Sequence, residues 1–512
     1  MSRKAIELIE NDQLLFLSDC EQSLHHLITQ RTGIVLRNHQ VSVLRNALAE
    51  ACTRFGYIGI EALLRELGQK ENSSPEFEFL LTKITVGESY FFRHDEQMSL
   101  LRDELLPELI ARKRQNNDYS LRVWSAGCSS GQEIYSMVIM LHEMLPDIHR
   151  WELYFLATDI NTDVLADAVR GCYSAWSLRA TPELIERKYF KENQGEYKLS
   201  GDICQRVKFV YLNLAEDPFP ALYTGTQAID VLLCRNVFIY LEPKIIRRIV
   251  SQFAQCLVPD GFLLLGHADF VDDYPNDLDY VQQNSTSYFR RRPFSHPRAP
   301  ILPQYNVDEI VPSEIAGELS DVERLPKQSA CKTESNFGDI SYVMDFLRAE
   351  RWYDALLVIN EAIKMYGESA ALMQAKSKAL ANLGRLSEAL QACQGSLTLD
   401  STEKHTYLLQ GMILIESAQP HDAEEALRKA IFLDHTFSEA HYQLGLLLMQ
   451  QGDQKAGLKC LAHALRHAKN ESPQHDVHNA PGMTYARFVE IIQTEMSIYA
   501  SIIPGKKLKG SV

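Results

Sequence analysis

Short apolar segments alternate with helical patterns between residues 121 and 270, and this alternation constrains the fold more than any other feature of the chain. The segments typical of strands are LRVWSAG, WELYFLATDI, VKFVYLNL, AIDVLLCRNVFIY and DGFLLLGHADF. The stretches CSSGQEIYSMVIMLHEML and NTDVLADAVRG follow the first two strands and place apolar residues at helical spacing. Strands that alternate with helices form parallel sheets covered by helices. The chain therefore predicts an α/β domain.

The rest of the 512-residue chain divides into helical segments and one proline-rich stretch. Helices before the sheet are predicted by apolar residues at three- and four-residue spacing: Leu14, Leu15, Leu17, Leu24, Leu27, Ile28, Val41, Leu44 and Leu48. We predict an N-terminal helical domain with a connecting segment over 1–94, and the sheet domain over 95–292. Within the latter we predict a small antiparallel β insertion at about 188–212. Six prolines fall in 293–338, which we interpret as a flexible linker.

Small residues recur with a 34-residue period after the linker. The first series is Ala355, Ala389, Ala423 and Gly457. Seven residues after each of these stands a second small residue: Ala362, Ser396, Ala430 and Ala464. Small residues at fixed offsets let paired helices approach closely, and 34 residues is the period of tetratricopeptide repeats. We predict an all-α repeat solenoid over 339–470, followed over 471–512 by a capping helix and tail. A generic helical bundle is the alternative.

The composition of the chain excludes several classes of protein. A net charge of −15 argues against general nucleic-acid binding, which needs a basic surface. The ten cysteines include no CxxC pair, so neither a zinc site nor a disulfide framework is indicated. No apolar run reaches the roughly 18–20 residues that span a bilayer, and the N-terminus lacks the apolar core of a secretory signal. We therefore expect a cytoplasmic protein without direct membrane insertion.

Two strand ends carry the polar residues of a candidate site. The stretch SAGCSSGQE, Ser125 to Glu133, opens a helix, and Gly127 and Gly131 allow the backbone to approach a ligand closely. It lacks the GxGxxG spacing of dinucleotide binders. Asp159 ends the next strand, where a carboxylate can bind two ribose hydroxyls, and no phosphate-cradling lysine stands nearby. This pattern favours a nucleoside ligand such as S-adenosylmethionine, while the alternative for Asp159 is a helix N-cap.

Two further stretches place polar groups next to apolar ones. In ITVGESYFFRHDEQ, Arg93 follows three aromatic residues, and a guanidinium there either holds a carboxylate or covers the edge of the core. In LLCRNVFIYLEP, Arg235 and Asn236 interrupt an apolar strand at its carboxyl end, with Tyr240 four residues on. Parallel α/β sheets bind ligands at this end, and a buried polar pair is costly unless a ligand or a turn satisfies it.

Seven blocks in the same order give the chain a specific resemblance. They are ITVGESYFFR, SAGCSSGQEIYS, ATDI with the following helix, RKYF, NL, CRNVFIY and GFLLLGHADF. This set resembles the CheR-type chemotaxis receptor methyltransferases over roughly residues 15–292. The resemblance implies a multidomain protein: an N-terminal α-helical domain, a Rossmann-like α/β domain that binds S-adenosylmethionine, and a small antiparallel β insertion. It also implies that receptor glutamates are converted to γ-methyl esters, with S-adenosylhomocysteine as product.

The resemblance also implies roles for individual residues. The cofactor-binding residues would be Thr85, Ser89, Arg93, Glu133, Asp159, Asn213, Leu214, Asn236 and Val237. Glu133 would lie near the methionine part, Asp159 at the ribose, and Asn213 and Leu214 beside the adenine. The catalytic residues would be Arg93 and Tyr240, nearest to the incoming carboxylate. Because a glutamate is already ionised at neutral pH, no general base is needed.

Two departures from the family pattern concern the cofactor and the recruitment of substrate. Gly87 stands where the family commonly has asparagine, and Ser89 where threonine is common. The predicted hairpin at 190–210 lacks the glycine-rich tip that captures a receptor tail, so recruitment through such a tail is not expected. Between residues 31 and 56 the sequence holds four arginines and a single acid, Glu50. The arginines are Arg31, Arg37, Arg45 and Arg54. This patch predicts docking to an acidic receptor, and a solvated helix face is the alternative.

The implied partners are the cytoplasmic domain of a chemoreceptor and an unidentified protein that binds the repeats. A receptor substrate would recruit this protein to receptor arrays, and we expect a monomer that does not bind nucleic acid. Two rival functions stay open at this point. One is a methyltransferase of the same fold acting on a different protein or a small molecule, and the other is a non-catalytic scaffold that binds the cofactor.

Overall fold

The computed structural model describes most of the chain outside the proline-rich stretch. The described residues are 19–37, 40–69, 74–85, 87–283, 286–293, 343–347, 351–478 and 480–502. The predicted helical residues Leu14, Leu15 and Leu17, and the predicted linker beyond Pro293, lie outside the described residues. Within these ranges, no helix has both the length and the apolar character needed to cross a membrane.

Helices precede the sheet, as the apolar spacing predicts. They are α1 Asp19–Thr32, α2 Val41–Phe55, α3 Ile60–Gln69, α4 Pro75–Ile84, α5 Asp95–Leu100 and, after a π-helical turn, α6 Leu106–Gln115. Leu24, Ile28 and Leu48 are fully buried in the core of the first four helices. Helix α4 begins where the Ser74 hydroxyl accepts a hydrogen bond from the Phe77 N–H, with proline in the first turn.

The predicted arginine patch does not form a single surface. The Arg31 guanidinium stacks 5.1 Å from the centre of the Phe77 ring and donates to the Leu67 carbonyl. Arg45 and Arg54 stand nine positions apart on α2, which places them on opposite sides of a helix with 3.6 residues per turn. The four arginines therefore lie on two helices and the segment between them, and the docking of this patch to an acidic receptor stays a prediction.

A seven-stranded sheet forms the centre of the region between the N-terminal helices and the repeats. The strands in chain order are β1 Ser120–Ala126, β2 Glu152–Asp159, β3 Cys172–Ser174, β4 Phe190–Asn193, β5 Glu196–Leu199, β6 Val207–Tyr211, β7 Ile229–Cys234, β8 Leu257–Leu265, β9 Leu278–Gln283 and β10 Thr286–Arg291. The sheet order is β6-β2-β1-β7-β8-β10-β9, with the first five strands parallel. Helices between them are α7 Gln132–Met144, α8 Thr162–Arg170, α9 Glu183–Tyr189, α10 Gly201–Cys204 and α11 Pro243–Cys256. This arrangement confirms the predicted α/β fold.

The antiparallel insertion is a three-stranded sheet with the order β3-β5-β4. The predicted limits, about 188–212, are wrong at both ends. Strand β3 lies before them, and its three residues are too few to show an alternating pattern. Strand β6 lies inside them but pairs with β2 at the edge of the main sheet, because four of its five side chains are buried.

Paired helices form the C-terminal half, which confirms the predicted repeat solenoid. They are α12 Trp352–Tyr366, α13 Ala370–Asn382, α14 Leu386–Leu399, α15 Lys404–Glu416, α16 Pro420–Leu433, α17 Ser438–Gln450 and α18 Gln454–Ala468. A Cβ added to Gly411 would lie 2.7 Å from Leu427 Cγ in the partner helix, and one added to Gly445 would meet Leu461 at 2.8 Å. Glycine is therefore required at these two positions, where the two helices of a repeat touch. A hairpin of β11 Asp476–Val477 and β12 Ala480–Thr484 leads into the last helix, α19 Tyr485–Ile502.

The repeats pack on the sheet domain along the edge strand β6. The Tyr223 and Tyr442 rings stack with their centres 5.4 Å apart, and Arg122 of β1 forms a buried ion pair with Glu416 of α15. Helix α19 packs against α18 at the end of the solenoid and also covers β6, where the Glu495 carboxylate accepts a hydrogen bond of 3.0 Å from the Tyr211 N–H. An open strand edge invites pairing with other chains, so this cover satisfies main-chain groups that would otherwise face solvent.

The buried Glu495 carboxyl makes stability depend on pH. Burial raises its pKa from 4.5 to about 7, so the unfolded chain releases this proton at lower pH than the folded protein does. The free energy of unfolding therefore falls by roughly 3 kcal/mol as the pH rises from 4.5 to about 7, for a pKa shift of this size. We expect Glu495→Gln, which keeps the acceptor oxygen, to raise the thermal midpoint by a few degrees at pH 8 and by much less at pH 5. Calorimetry at both pH values checks this, and an equal difference at both would contradict it.

Candidate cofactor-binding site

One cavity at the carboxyl ends of β1, β2 and β7 is lined by every residue that the sequence nominated for the site. These residues are Thr85, Ser89, Arg93, Glu133, Asp159, Asn213, Leu214, Asn236, Val237 and Tyr240. They come from the segment after α4, from the first turn of α7, from the ends of β2 and β7 and from the loop after β6. The lining also includes Thr32, Ile34 and Gln40 from the N-terminal helical region. The cavity is thus closed on one side by the helical domain and on the other by the sheet.

The turn between β1 and α7 lets the backbone form the floor of the cavity. Gly127 has a φ of +75°, and an added Cβ would lie 2.4 Å from Val237 Cγ2. Asp159 holds this turn, since its carboxylate accepts hydrogen bonds of 2.8 Å from the Ser129 N–H and 2.9 Å from the Asn161 N–H. Burial raises the pKa of the Asp159 carboxyl. The alternative N-cap role for Asp159 is wrong, because Asn161 caps helix α8.

A buried ion pair supports the centre of the cavity. The Glu133 carboxylate accepts hydrogen bonds from the Ser125 hydroxyl, at 2.7 Å, and from the Arg235 guanidinium, at 3.2 Å. Arg235 also donates to the side chain of Gln97 and to the backbone carbonyl of Arg93. The polar break at Arg235 in an apolar strand signalled this position, yet its pairing with Glu133 was not predicted. The two opposite charges compensate each other, so the pair adds no net charge to the cavity.

Asn236 lies in a strained turn that presents its side chain to the cavity. Its φ is +60°, an uncommon value for a residue other than glycine. The Asp269 carboxylate holds the turn by accepting from the backbone N–H groups of Asn236, Gly266 and Ile239. The Asn236 Oδ1 atom is buried and accepts no hydrogen bond from the described residues. Asp269 was not predicted, although the block GFLLLGHADF contained it.

Arg93 is held at the cavity by the backbone on both sides of it. Phe92 and His94 have φ values of +54° and +62°, so the chain turns sharply around the arginine. The guanidinium donates 2.9 Å to the Glu88 carbonyl, while its buried Nε finds no acceptor among the described residues. Burial and the nearby Arg235 and Arg93 charges lower the pKa of His94 to about 4, so His94 is neutral near pH 7.

Tyr240 and the loop after β6 are positioned by the end of α1 and the segment that follows it. The Val35 N–H donates 2.8 Å to the Tyr240 carbonyl, and the Asn213 amide donates 2.8 Å to the Arg31 carbonyl. The Tyr240 hydroxyl makes no hydrogen bond within the described part of the chain, which leaves it able to donate into the cavity. The Thr85 hydroxyl accepts 2.7 Å from the Asn161 amide. The individual roles of these residues stay predictions.

Comparison with known proteins decides the family. The family profile described as "CheR methyltransferase, SAM binding domain" matches residues 87–287, and tetratricopeptide-repeat profiles match 343–403 and 438–470. The chain is 36% identical over 264 residues to chemotaxis protein methyltransferase 2 of Vibrio cholerae, which covers 51% of this chain and 89% of that protein. It is 30% identical over 268 residues to the chemotaxis protein methyltransferase of Escherichia coli, covering 51% and 88%. The chain belongs to the CheR methyltransferase family.

This membership makes the protein a methyltransferase that uses S-adenosylmethionine, with added tetratricopeptide repeats. The residues of the cavity fit that cofactor. Asp159 places a carboxylate at the end of β2, and the buried Asn236 Oδ1 has no donor among the described residues, so both offer acceptor oxygens to a ligand with hydroxyl or ammonium groups. The described lining contains no lysine, and its arginines are Arg93 and the ion-paired Arg235. Such a lining suits hydroxyl and ammonium groups better than a string of phosphates.

Proposed function

We propose that this CheR methyltransferase transfers a methyl group from S-adenosylmethionine to glutamate side chains in the cytoplasmic domain of a chemoreceptor, leaving S-adenosylhomocysteine. The observation that supports the proposal most directly is the meeting of Arg93 and Tyr240 at one cavity with the Asp159 carboxylate. Both side chains are partly exposed, so an incoming carboxylate reaches them from solvent. Arg93 belongs to the segment before the sheet and Tyr240 to the turn after β7, so the connecting segment and the sheet domain each contribute one of the two side chains.

The chemistry asks the protein to position a carboxylate rather than to activate it. When bound, the cofactor supplies a sulfonium methyl group for in-line displacement. A glutamate with a pKa near ~4.3 is ionised at neutral pH, so the enzyme needs no general base. The Arg93 guanidinium would orient that carboxylate, and the Tyr240 hydroxyl would donate a hydrogen bond to it. Attacking and leaving groups lose charge in the reaction, so orientation and exclusion of water matter more than strong charge stabilisation.

Methylation of purified receptor cytoplasmic fragments tests the proposal. With radiolabelled S-adenosylmethionine, we expect label in the fragment, and mass spectrometry should find an added methyl group on glutamates. Base-labile label on a different protein would favour a related methyltransferase with another substrate. If the protein binds S-adenosylhomocysteine but labels no carboxylate, the non-catalytic scaffold is the better description. Absence of cofactor binding would refute the proposal outright.

A ladder of stacked side chains leads from the cavity to the surface of the insertion. Two guanidinium groups lie near the Tyr90 ring. That of Arg93 is 5.7 Å from the ring centre, and that of Arg179 is 3.6 Å from it. Arg179 also stacks 4.2 Å from the Trp176 ring, which is 66% exposed. The Glu88 carboxylate lies 3.6 Å from the Arg179 guanidinium and partly compensates its positive charge. We propose that this ladder contacts the receptor segment around the target glutamate.

Trp176→Ala tests the ladder. Because an exposed indole contributes most to contact with a partner, we expect the KM for the receptor fragment to rise about tenfold, with the affinity for S-adenosylhomocysteine unchanged. Steady-state methylation and calorimetry measure the two quantities. The matched control is Phe432→Ala, which removes an 88% exposed ring from the repeat domain. Equal KM values for Trp176→Ala and the wild type would exclude the ladder from substrate contact.

The repeats are proposed to bind a further protein. Part of the surface of α15 and α17, the first helices of their repeats, already contacts the sheet domain through Glu416, Tyr442 and Gln443. A partner would therefore use the remaining surface of the solenoid or displace these contacts. No repeat residue lines the cofactor cavity among the described residues, so the solenoid does not plug the site.

A further inference from the structure

Helix α19 contacts the loop that forms one wall of the cofactor cavity. In sequence, this helix is far from the residues that line the cavity. Arg487 in its first turn has a side chain that is 10% exposed, and it binds Asp217 with both arms of its guanidinium, Nε to Oδ1 at 2.7 Å and a terminal nitrogen to Oδ2 at 3.1 Å. The same arginine pairs with Glu490 on its own helix. A bidentate arginine–carboxylate pair has fixed geometry, so it constrains the position of Asp217.

Asp217 in turn shapes the loop that follows β6. Its carboxylate is almost fully buried and accepts a hydrogen bond of 2.6 Å from the Asn213 N–H, while its own N–H donates to the Asn213 carbonyl. These reciprocal bonds close the loop 213–217, whose first two residues, Asn213 and Leu214, line the cavity. Removing the guanidinium would leave a buried carboxylate without its partner, which strongly disfavours the present loop geometry.

The same helix also contacts helix α4, which leads into another lining segment. The Thr494 hydroxyl donates 3.0 Å to the Glu78 carboxyl of α4. Helix α4 ends at Ile84, directly before the cavity-lining Thr85. Helix α19 therefore contacts both the loop that the resemblance places beside the adenine and the helix that precedes Thr85.

We propose that helix α19 supports the cofactor site from outside the cavity and that Arg487 is a positioning residue, holding the 213–217 loop so that Asn213 and Leu214 contact the adenine. The inference rests on the proposed function only in that the cavity binds S-adenosylmethionine. Because binding linkage is reciprocal, the cofactor also stabilises the docking of α19, and a ligand of the repeats that moves this helix changes cofactor affinity.

A second ion pair between the halves supplies the matched control. Arg122 of β1 and Glu416 of α15 form a buried pair that likewise joins the repeats to the sheet. Neither residue lines the cofactor cavity. Loss of this pair perturbs docking of the repeats without touching the 213–217 loop directly.

Calorimetric titration of the full-length protein with S-adenosylhomocysteine tests the proposal. For Arg487→Ala we expect the Kd to rise at least about tenfold, with Arg487→Lys recovering part of the loss and Glu416→Gln staying within about twofold of the wild type. In methylation assays the KM for S-adenosylmethionine should rise while kcat at saturation stays within about twofold. An unchanged Kd for Arg487→Ala, or equal losses for Arg487→Ala and Glu416→Gln, would overturn the positioning role.

Hydrogen exchange on the unmodified protein gives a second test that does not depend on how the variants fold. We expect S-adenosylhomocysteine to slow exchange of the amides in 213–217 and in 485–500, while those of α12 and α13 are unaffected. If exchange in α19 does not respond to bound ligand, the inference fails while the cofactor assignment stands. If the wild-type protein does not bind the ligand at all, the cofactor assignment fails first and the inference with it.

Discussion

Arg93→Ala is expected to lower the rate of methyl transfer to a receptor fragment by about 100-fold while S-adenosylhomocysteine still binds with an affinity close to that of the wild type. The arginine lines the cavity, and its Nε is buried without an acceptor among the described residues. Its neighbours Phe92 and His94 adopt left-handed backbone conformations, which hold the side chain in place. We attribute the expected loss to misorientation of the substrate carboxylate, because the reaction requires near-collinear approach to the methyl group.

Two further variants make the Arg93 experiment specific. Arg93→Lys keeps the charge but loses the planar pair of donors, so its rate should fall between those of the wild type and Arg93→Ala. Arg102→Ala removes an exposed arginine that pairs with Asp103 outside the cavity, and its rate should not change. Radiolabel incorporation measures the rate, and calorimetry measures cofactor binding. Wild-type transfer by Arg93→Ala would remove this residue from the mechanism.

Asp159→Asn is expected to weaken S-adenosylhomocysteine binding by about 100-fold, the largest effect we predict on the cofactor. The carboxylate already accepts the Ser129 and Asn161 N–H groups and would also accept ribose hydroxyls. An asparagine has one accepting oxygen, so its NH₂ group would face either a backbone N–H or a hydroxyl donor. Both the shape of the turn and the contact with the ribose would suffer.

Asp163→Asn is the matched control for Asp159. Asp163 is an exposed acid in the first turn of α8, four residues from Asp159, and it does not line the cavity. Its replacement should leave the Kd unchanged, which separates the loss of the specific acceptor from a general loss of negative charge. Calorimetry of both variants and the wild type decides the matter, and equal affinities for all three would show that the ribose is bound elsewhere.

The sequence was informative wherever a polar residue interrupted a strongly apolar pattern. Asp159 and Asn236 each follow a run of buried strand residues, and the carboxyl ends of neighbouring parallel strands meet at one edge. Together with the family resemblance, these strand ends predict a set of residues that lines a single cavity. For Asp159 the pattern leaves an N-cap as the alternative role, because it cannot tell which of two nearby polar residues bonds to the helix. Asn161 takes that position.

Contacts between distant parts of the chain were beyond such reasoning. Arg487 and Asp217 stand 270 positions apart, and Arg122 and Glu416 stand 294 apart. As letters in a sequence they are ordinary charged residues, which are solvated in most proteins. The spread of the arginine patch over two helices has a related cause, since a count of charges along the chain ignores the direction of each side chain. Asp269 was passed over because its three acceptor bonds depend on a turn that only tertiary structure forms.

The cover that α19 and the repeats give to strand β6 limits how this enzyme can be recombined with others. A catalytic half produced alone would place the Tyr223 ring in water and leave the carboxylate of Asp217 without Arg487, and its uncovered strand would be open to self-association. Conversely, a chimaera that joins this solenoid to another family member gains a properly seated module only if Arg122, Asp217 and Tyr223 are grafted along with it.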